Sequence, residues 1–220
     1  VSERTLYGEA ENPRYPALSL LPELVGACTG EVVPALHYTS QKKETLATQL
    51  TTLLSHGDLY ASGCRMVQLN IPWPPLAQLH EVKTFFPELE IIFQLSQGCM
   101  QGRTPEELVP CVVNYASVID HILIDPSGGR GKPFESKTVV PLYHALRERL
   151  TVPLGIAGGL TGENVHARAR ELVDLVGTPL FSLDAEGGLR DRLGPGFNND
   201  TLNLDNAEKY IEGAARALVR

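Results

Sequence analysis

Short runs of β-branched and apolar residues alternate with longer amphipathic stretches along the whole chain. Seven runs read as strands: Arg4–Glu9, Val32–Tyr38, Arg65–Ile71, Glu90–Ser96, His121–Asp125, Val152–Ala157 and Leu180–Asp184. The stretches Gln41–Leu54, Thr104–Tyr115, Ser136–Leu150, Gly162–Leu172 and Leu204–Leu218 read as helices. Thr104-Pro105-Glu106-Glu107 is a helix start, with a capping hydroxyl, Pro at the first position and acids in the first turn. A βα alternation of this kind dictates an α/β fold with a parallel sheet. A doubly wound sheet would carry G-x-G-x-x-G after its first strand, and that pattern is missing. An eight-stranded barrel takes about 250 residues. Seven βα units in 220 residues therefore fit a (β/α)8 TIM barrel that lacks its first unit. No shift in composition marks a linker, so residues 1–220 are expected to form a single domain.

Composition narrows the function. The net charge is −7 and no basic tract interrupts the chain, which argues against nucleic acid as a partner. No apolar run approaches the ~20 residues of a membrane span. Cysteines at 28, 64, 99 and 111 form no C-x-x-C, which excludes a zinc knuckle and argues against a disulfide scaffold. No signal-peptide pattern opens the chain, so a reduced, cytoplasmic protein is expected. The chain begins with Val1 rather than Met; either the first βα unit lies upstream of it or the barrel is built without that unit.

Alternate strand residues face opposite sides. One side is apolar: Val67, Leu69 and Ile71; Phe93 and Leu95; Ile122 and Ile124; Phe181 and Leu183. The other carries Ala35 and His37, Gln68 and Asn70, Gln94 and Ser96, His121, Leu123 and Asp125, then Ser182 and Asp184, with Glu186 two residues on. A barrel interior is usually bulky and branched, and buried polar groups cost free energy unless they pair or bind something. Polar residues gathering toward the C-terminal strand ends therefore mark a candidate ligand site. Asp125, at a strand end before a glycine-rich loop, is the first candidate for proton transfer; an Asx-turn cap is its structural alternative. Asp184, Glu186 and His37 are candidate partners.

Three glycine-rich loops follow the last three strands. They are Asp125–Lys132, Ala157–Asn164 and Asp184–Arg190. The first is not a Walker A loop, because the leading Gly is absent and Pro133 follows the Lys. Backbone N–H groups at a glycine turn that feeds a helix make an anion site. Gly128, Gly129, Gly158, Gly159 and Gly187 are the candidate substrate-binding glycines, beside Asn70 and Gln94.

Four segments stand out together. They are Arg14-Tyr15, Met66-Val67-Gln68-Leu69-Asn70, the run from Leu123 to Glu135 and the run from Ile156 to Val165. These resemble the V-Q-L-H-G, L-L-D-x-x-x-G-G-x-G-K-x-F-D and L-x-G-G-L-x-x-E-N-V segments and the R-Y pair of phosphoribosylanthranilate isomerase, the (β/α)8 barrel of tryptophan biosynthesis. The resemblance implies an Amadori rearrangement by acid and base, without metal or organic cofactor. Asp125 matches the family's acid, Arg14 the residue that holds the anthranilate carboxylate, and Gly158 and Gly159 part of the phosphate cradle. The family's basic Cys lies in a K-I-C-G segment of the first strand, and this chain contains no such segment. Asn70 replaces a histidine, and Asp184-Ala185-Glu186 replaces the small residues of the family's eighth loop. Each carboxylate close to a phosphate dianion repels it by on the order of 1–4 kcal/mol at intermediate dielectric.

The expectation is an isomerase-like barrel acting on a small sugar or sugar phosphate. Two other readings remain: a metal-assisted epimerase or aldolase using His37, Asp125, Asp184 and Glu186, and a non-catalytic barrel that binds a ligand or a partner. An incomplete barrel leaves a strand edge that needs a cover, and a second copy in a homodimer is one.

Overall fold

The computed structural model describes residues 1–9, 11–127, 134–178, 180–195 and 199–218. The chain divides into two compact units, Val1–Gln94 with Ser117–Asp120, and Leu95–Ala116 with His121–Arg220.

The first unit opens on α1 (Glu3–Leu6) and α2 (Leu21–Gly26). It continues through β1 (Ala35–Tyr38), α3 (Leu46–Ser55), β2 (Met66–Leu69), α4 (Leu76–Phe85) and β3 (Glu90–Ser96), whose last two residues belong to the second unit. The strand expected over Arg4–Glu9 is not formed. Ser2 accepts the Thr5 N–H on its hydroxyl at 3.3 Å, and Thr5 Oγ1 accepts the Ser2 N–H at 2.9 Å. That reciprocal cap starts a helical turn before an extended run can pair.

Residues 1–3 instead lie parallel to the outer edge of β1, with Ser2 bridged to Thr39. Thr39 donates to Val1 O at 3.2 Å, and Glu3 donates to Thr39 O at 3.1 Å. Within the unit β1 pairs with β2 and β2 with β3, all parallel, with Leu36 beside Val67 and Val67 beside Ile91. Leu50, Leu53, Val67, Leu69, Leu79, Val82, Ile91 and Phe93 are fully buried between strands and helices. Burying each such side chain is worth roughly 1.5–3 kcal/mol. Asp120 fastens the start of β3, accepting the Ile91 N–H at 2.8 Å and the Lys83 ammonium at 2.7 Å.

The second unit contains α5 (Gln97–Met100), α6 (Pro105–Val113), β4 (His121–Asp125), α7 (Ser136–Arg147), β5 (Leu154–Ala157), α8 (Val165–Val176) and β6 (Ser182–Asp184). It ends with β7 (Arg190–Arg192), β8 (Asp200–Leu202) and α9 (Leu204–Leu218). β4 pairs with β5 and β5 with β6, again parallel. α6 begins as its sequence predicts, with Pro105 in the first turn and the Thr104 N–H donating to Glu107 at 2.9 Å. α8 stops at Gly177, whose φ of +75° lies in the left-handed region that favours glycine. β7 and β8 form an antiparallel hairpin that the sequence pattern did not announce, held by an Arg190–Asp200 ion pair of 2.6 Å.

The fold is thus α/β with parallel strands, and among the described residues six such strands take the place of the seven expected. No disulfide joins Cys28, Cys64, Cys99 and Cys111. Among the described residues no helix is long and apolar enough to cross a membrane.

Candidate acid–base site

The register of β4, β5 and β6 builds the site layer by layer. Leu123 lies beside Gly155, and Gly155 beside Ser182. A Cβ on Gly155 would sit 2.6 Å from Ser182 Oγ and 3.0 Å from Leu123 Cδ1, so that layer is filled. Two residues later the same face of the strands presents Asp125, Ala157 and Asp184, with Ala157 directly paired to Asp184. The alternation read from the sequence predicts this grouping. Only a methyl group stands between the two aspartates. Across two strand spacings their Cα atoms are roughly 10 Å apart, within reach of electrostatic coupling.

The two carboxylates have different surroundings. Asp125 is buried, and its Oδ1 accepts the Ser127 N–H at 3.0 Å and the Ser127 hydroxyl at 2.6 Å. This is an Asx turn, which points the carboxylate back over the start of its own loop. Asp184 is half-buried. Burial first, then the negative charges of Asp125 and Glu186, push its carboxyl up to about 6. Glu186 itself is exposed.

A third group, which the strand pattern does not contain, comes from α9. The Tyr210 hydroxyl is buried, with no hydrogen-bond partner among the described residues. Burial and the charge of Asp184 raise its pKa. One turn earlier on the same helix face, Asn206 accepts the Gly162 N–H at 2.8 Å and donates to Gly188 O at 2.7 Å. One turn later a Cβ on Gly213 would stand 2.8 Å from Val165 Cγ1. Asn206, Tyr210, Gly213 and buried Ala217 follow the helical period. A tyrosine at that spacing reads in sequence as core, so only the orphaned hydroxyl reveals it.

The expected anion turn before α8 is engaged within the chain. Thr161 N–H donates to Asn164 Oδ1 at 2.9 Å, and Asn164 N–H donates to Thr161 Oγ1 at 3.2 Å. Glu163 N–H reaches the same hydroxyl at 3.3 Å, and Asn164 Nδ2 donates to Gly159 O at 2.9 Å. Gly158 and Gly159 have φ of +130° and +61°. Gly187 opens the short 3-10 turn Gly187–Leu189. A Cβ on Gly188 would run into the Leu160 carbonyl oxygen, so the second and third glycine loops are in contact. Gly128 and Gly129 lie outside the described residues, as do Arg130 and Lys132.

The remaining candidates belong to the first unit. His37 is half-buried on β1. Gln94 is buried and accepts the Gln68 side-chain N–H at 3.0 Å. Asn70 N–H donates to Tyr38 O at 2.9 Å. Arg14 is half-buried, in a turn where its N–H donates to Asn12 Oδ1 at 3.0 Å. A cavity of about 450 Å³ opens nearby among Thr5, Asn12, Tyr15 and Leu18. No three His, Cys, Asp or Glu side chains among the described residues are grouped so as to hold a metal ion.

Parallel strands alternating with helices make an α/β fold of TIM type. Three solved structures make the likeness specific. The first is phosphoribosyl anthranilate isomerase in complex with reduced 1-(o-carboxyphenylamino)-1-deoxyribulose 5-phosphate, at 16% identity and a TM-score of 0.58, covering 94% of this chain and 83% of that one. TrpF from Jonesia denitrificans is similar at 16% identity and 0.57, over 94% and 82% of the two chains. N-(5'-phosphoribosyl)anthranilate isomerase from Pyrococcus furiosus is similar at 16% and 0.56, over 92% and 82%. At this identity the likeness is one of fold. No protein-family model matches the sequence, and no curated protein matches it.

Proposed function

We propose that residues 1–220 belong to one cytoplasmic domain of this barrel type. In this reading the chain is an acid–base isomerase acting on a small sugar-like molecule. The observation that carries the reading is the pair Asp125 and Asp184. One carboxylate is fixed as an acceptor by Ser127, and the other holds its proton up to about pH 6. Unlike environments for two neighbouring acids separate their roles. Asp184 gives and takes the proton, because a group titrating near the working pH exists in both forms. Asp125 supplies the fixed negative charge that keeps the Asp184 proton in place and accepts a hydrogen bond from a ligand hydroxyl. An aldose–ketose type rearrangement moves one proton from C2 to C1 and another from the O2 hydroxyl to O1; a single carboxyl of this kind can carry the first, and water the second.

The test is deuterium incorporation. Aldopentoses, ketopentoses and their 5-phosphates are incubated with the protein in D2O and followed by proton NMR. The expected result is loss of the C2 proton signal of the aldoses and of a C1 proton signal of the ketoses, abolished in Asp184→Asn and slowed in Asp125→Asn. Exchange that continues unchanged in Asp184→Asn would remove Asp184 from the chemistry.

A further inference from the structure

We propose that α9 pairs with α9 of a second copy of this chain, antiparallel, about a two-fold axis at Ile211. The surface is a stripe formed by Leu204, Ala207, Ile211, Ala215 and Leu218.

α9 has two packing faces, and the chain uses one. On the inner face Asn206 bonds Gly162 and Gly188, a Cβ on Gly213 would meet Val165, and Ala217 is buried. The stripe runs about a third of a turn away around the helix, with spacings of three, four, four and three residues. Leu204 is 72% exposed and Ile211 67%. Ala215 is exposed too, and Ala207 and Leu218 are half-buried. Single exposed leucines are ordinary on a protein surface. A row kept to the helical period over four turns is the pattern of a helix that meets another helix.

The order of the row selects the occupant. Counted outward from Ile211, Ala stands at four residues and Leu at seven in both directions. A two-fold axis at Ile211 therefore sets Leu204 against Leu218, Ala207 against Ala215, and Ile211 against its own copy. Large and small layers alternate, and the alanine layers let the helix axes approach to about 8 Å. The charges obey the same axis. Asp205 stands six residues before Ile211 and Arg216 five after it, on one flank of the stripe. Antiparallel pairing brings each aspartate level with the arginine of the other copy, within about 1.5 Å along the helix. A parallel pair would set like charges together at both positions. A helix of 15 residues is about 22 Å long, so the contact falls at the small end of specific interfaces. The dimer is accordingly a reversible one.

The experiment is sedimentation equilibrium of the full chain from about 1 to 200 µM, with melting temperatures recorded. Wild type should pass from 24.0 kDa toward twice that mass, with a midpoint on the order of 10 µM. Ile211→Glu should stay at the single-chain mass throughout and melt with wild type, because Ile211 is exposed in the single chain. Arg216→Asp should weaken association about tenfold, and adding Asp205→Arg to it should restore the wild-type midpoint. Direction is read from cysteine variants oxidised with copper phenanthroline, with the linked peptides mapped. Ile211→Cys should link to itself across the axis, and Leu204→Cys should not. A chain that stays single at 200 µM overturns the proposal and leaves the stripe to a different helix. A dimer that Ile211→Glu leaves intact, or a Leu204→Cys variant linked to itself at that position, overturns it as well. None of these variants alters Asp125 or Asp184, so the acid–base reading stands or falls by deuterium exchange alone.

Discussion

At the scale of single residues, charge burial makes two predictions of opposite sign. Asp184 has its carboxyl raised from an ordinary 3.8 to about 6. Between those values the folded chain holds a proton that the unfolded chain has released. Stability contributed by this group is therefore present at low pH and lost as pH rises toward 6. Asp184→Asn should gain in melting temperature relative to wild type across that window, with a constant advantage above it. An advantage that does not change with pH would contradict the assignment. Glu3 runs the other way. The Lys42 ammonium at 2.7 Å, with the Ser40 hydroxyl and the Gln41 N–H, holds its buried carboxyl below the usual range. Its contribution is present above the ordinary carboxylate pKa and is lost as pH falls through the depressed one. Glu3→Gln should melt a few degrees lower at pH 7 and no lower than wild type in strong acid. Both acids stand in the sequence, but only one was legible as special. Asp184 ends a strand whose polar face can be read by alternation, whereas Glu3 was assigned to no site because its partners lie 37 to 39 residues away.

At the scale of elements, close approaches decide which changes are tolerated. Gly188 touches the Leu160 carbonyl, and no flexible side chain stands there to give way. Gly188→Ala should destabilise by about 1–3 kcal/mol, the usual cost of overpacking. Gly26, in α2, has nothing near its would-be Cβ, and Gly26→Ala should be neutral or slightly stabilising. Paired thermal melts of the two variants check the contact. Alternation made β1 to β6 readable, because Val67 and Leu69 go inward to the core while Met66 and Gln68 do not. It did not find the hairpin of β7 and β8, whose three-residue strands are too short to show a period. It misread Arg4–Glu9 because a cap by Ser2 and Thr5 is a local event that outweighs a weak extended preference. The helix Leu204–Leu218 was found to the residue, yet its role was not. Asn206 finds its partners 44 and 18 residues back in the chain, and nothing in the helix's own pattern points to them.

For the whole molecule, the outer edge of β1 is one of the edges that parallel strands in this order leave. Val1–Glu3 cover its last residues through the Thr39 hydrogen bonds. A variant without residues 1–3 should uncover that edge and associate as concentration rises, visible by light scattering. Scattering unchanged from wild type would mean that the stub does not protect it.

The tie made by Asn206 has a consequence for synthesis. The ribosome finishes the loops at Gly162 and Gly188 before it has made the side chain that joins them to α9. A nascent chain halted ahead of residue 204 carries both aspartates but leaves the Gly162 N–H and the Gly188 carbonyl without Asn206. Whatever the second unit does with these loops tied together, it does only after α9 has emerged from the ribosome.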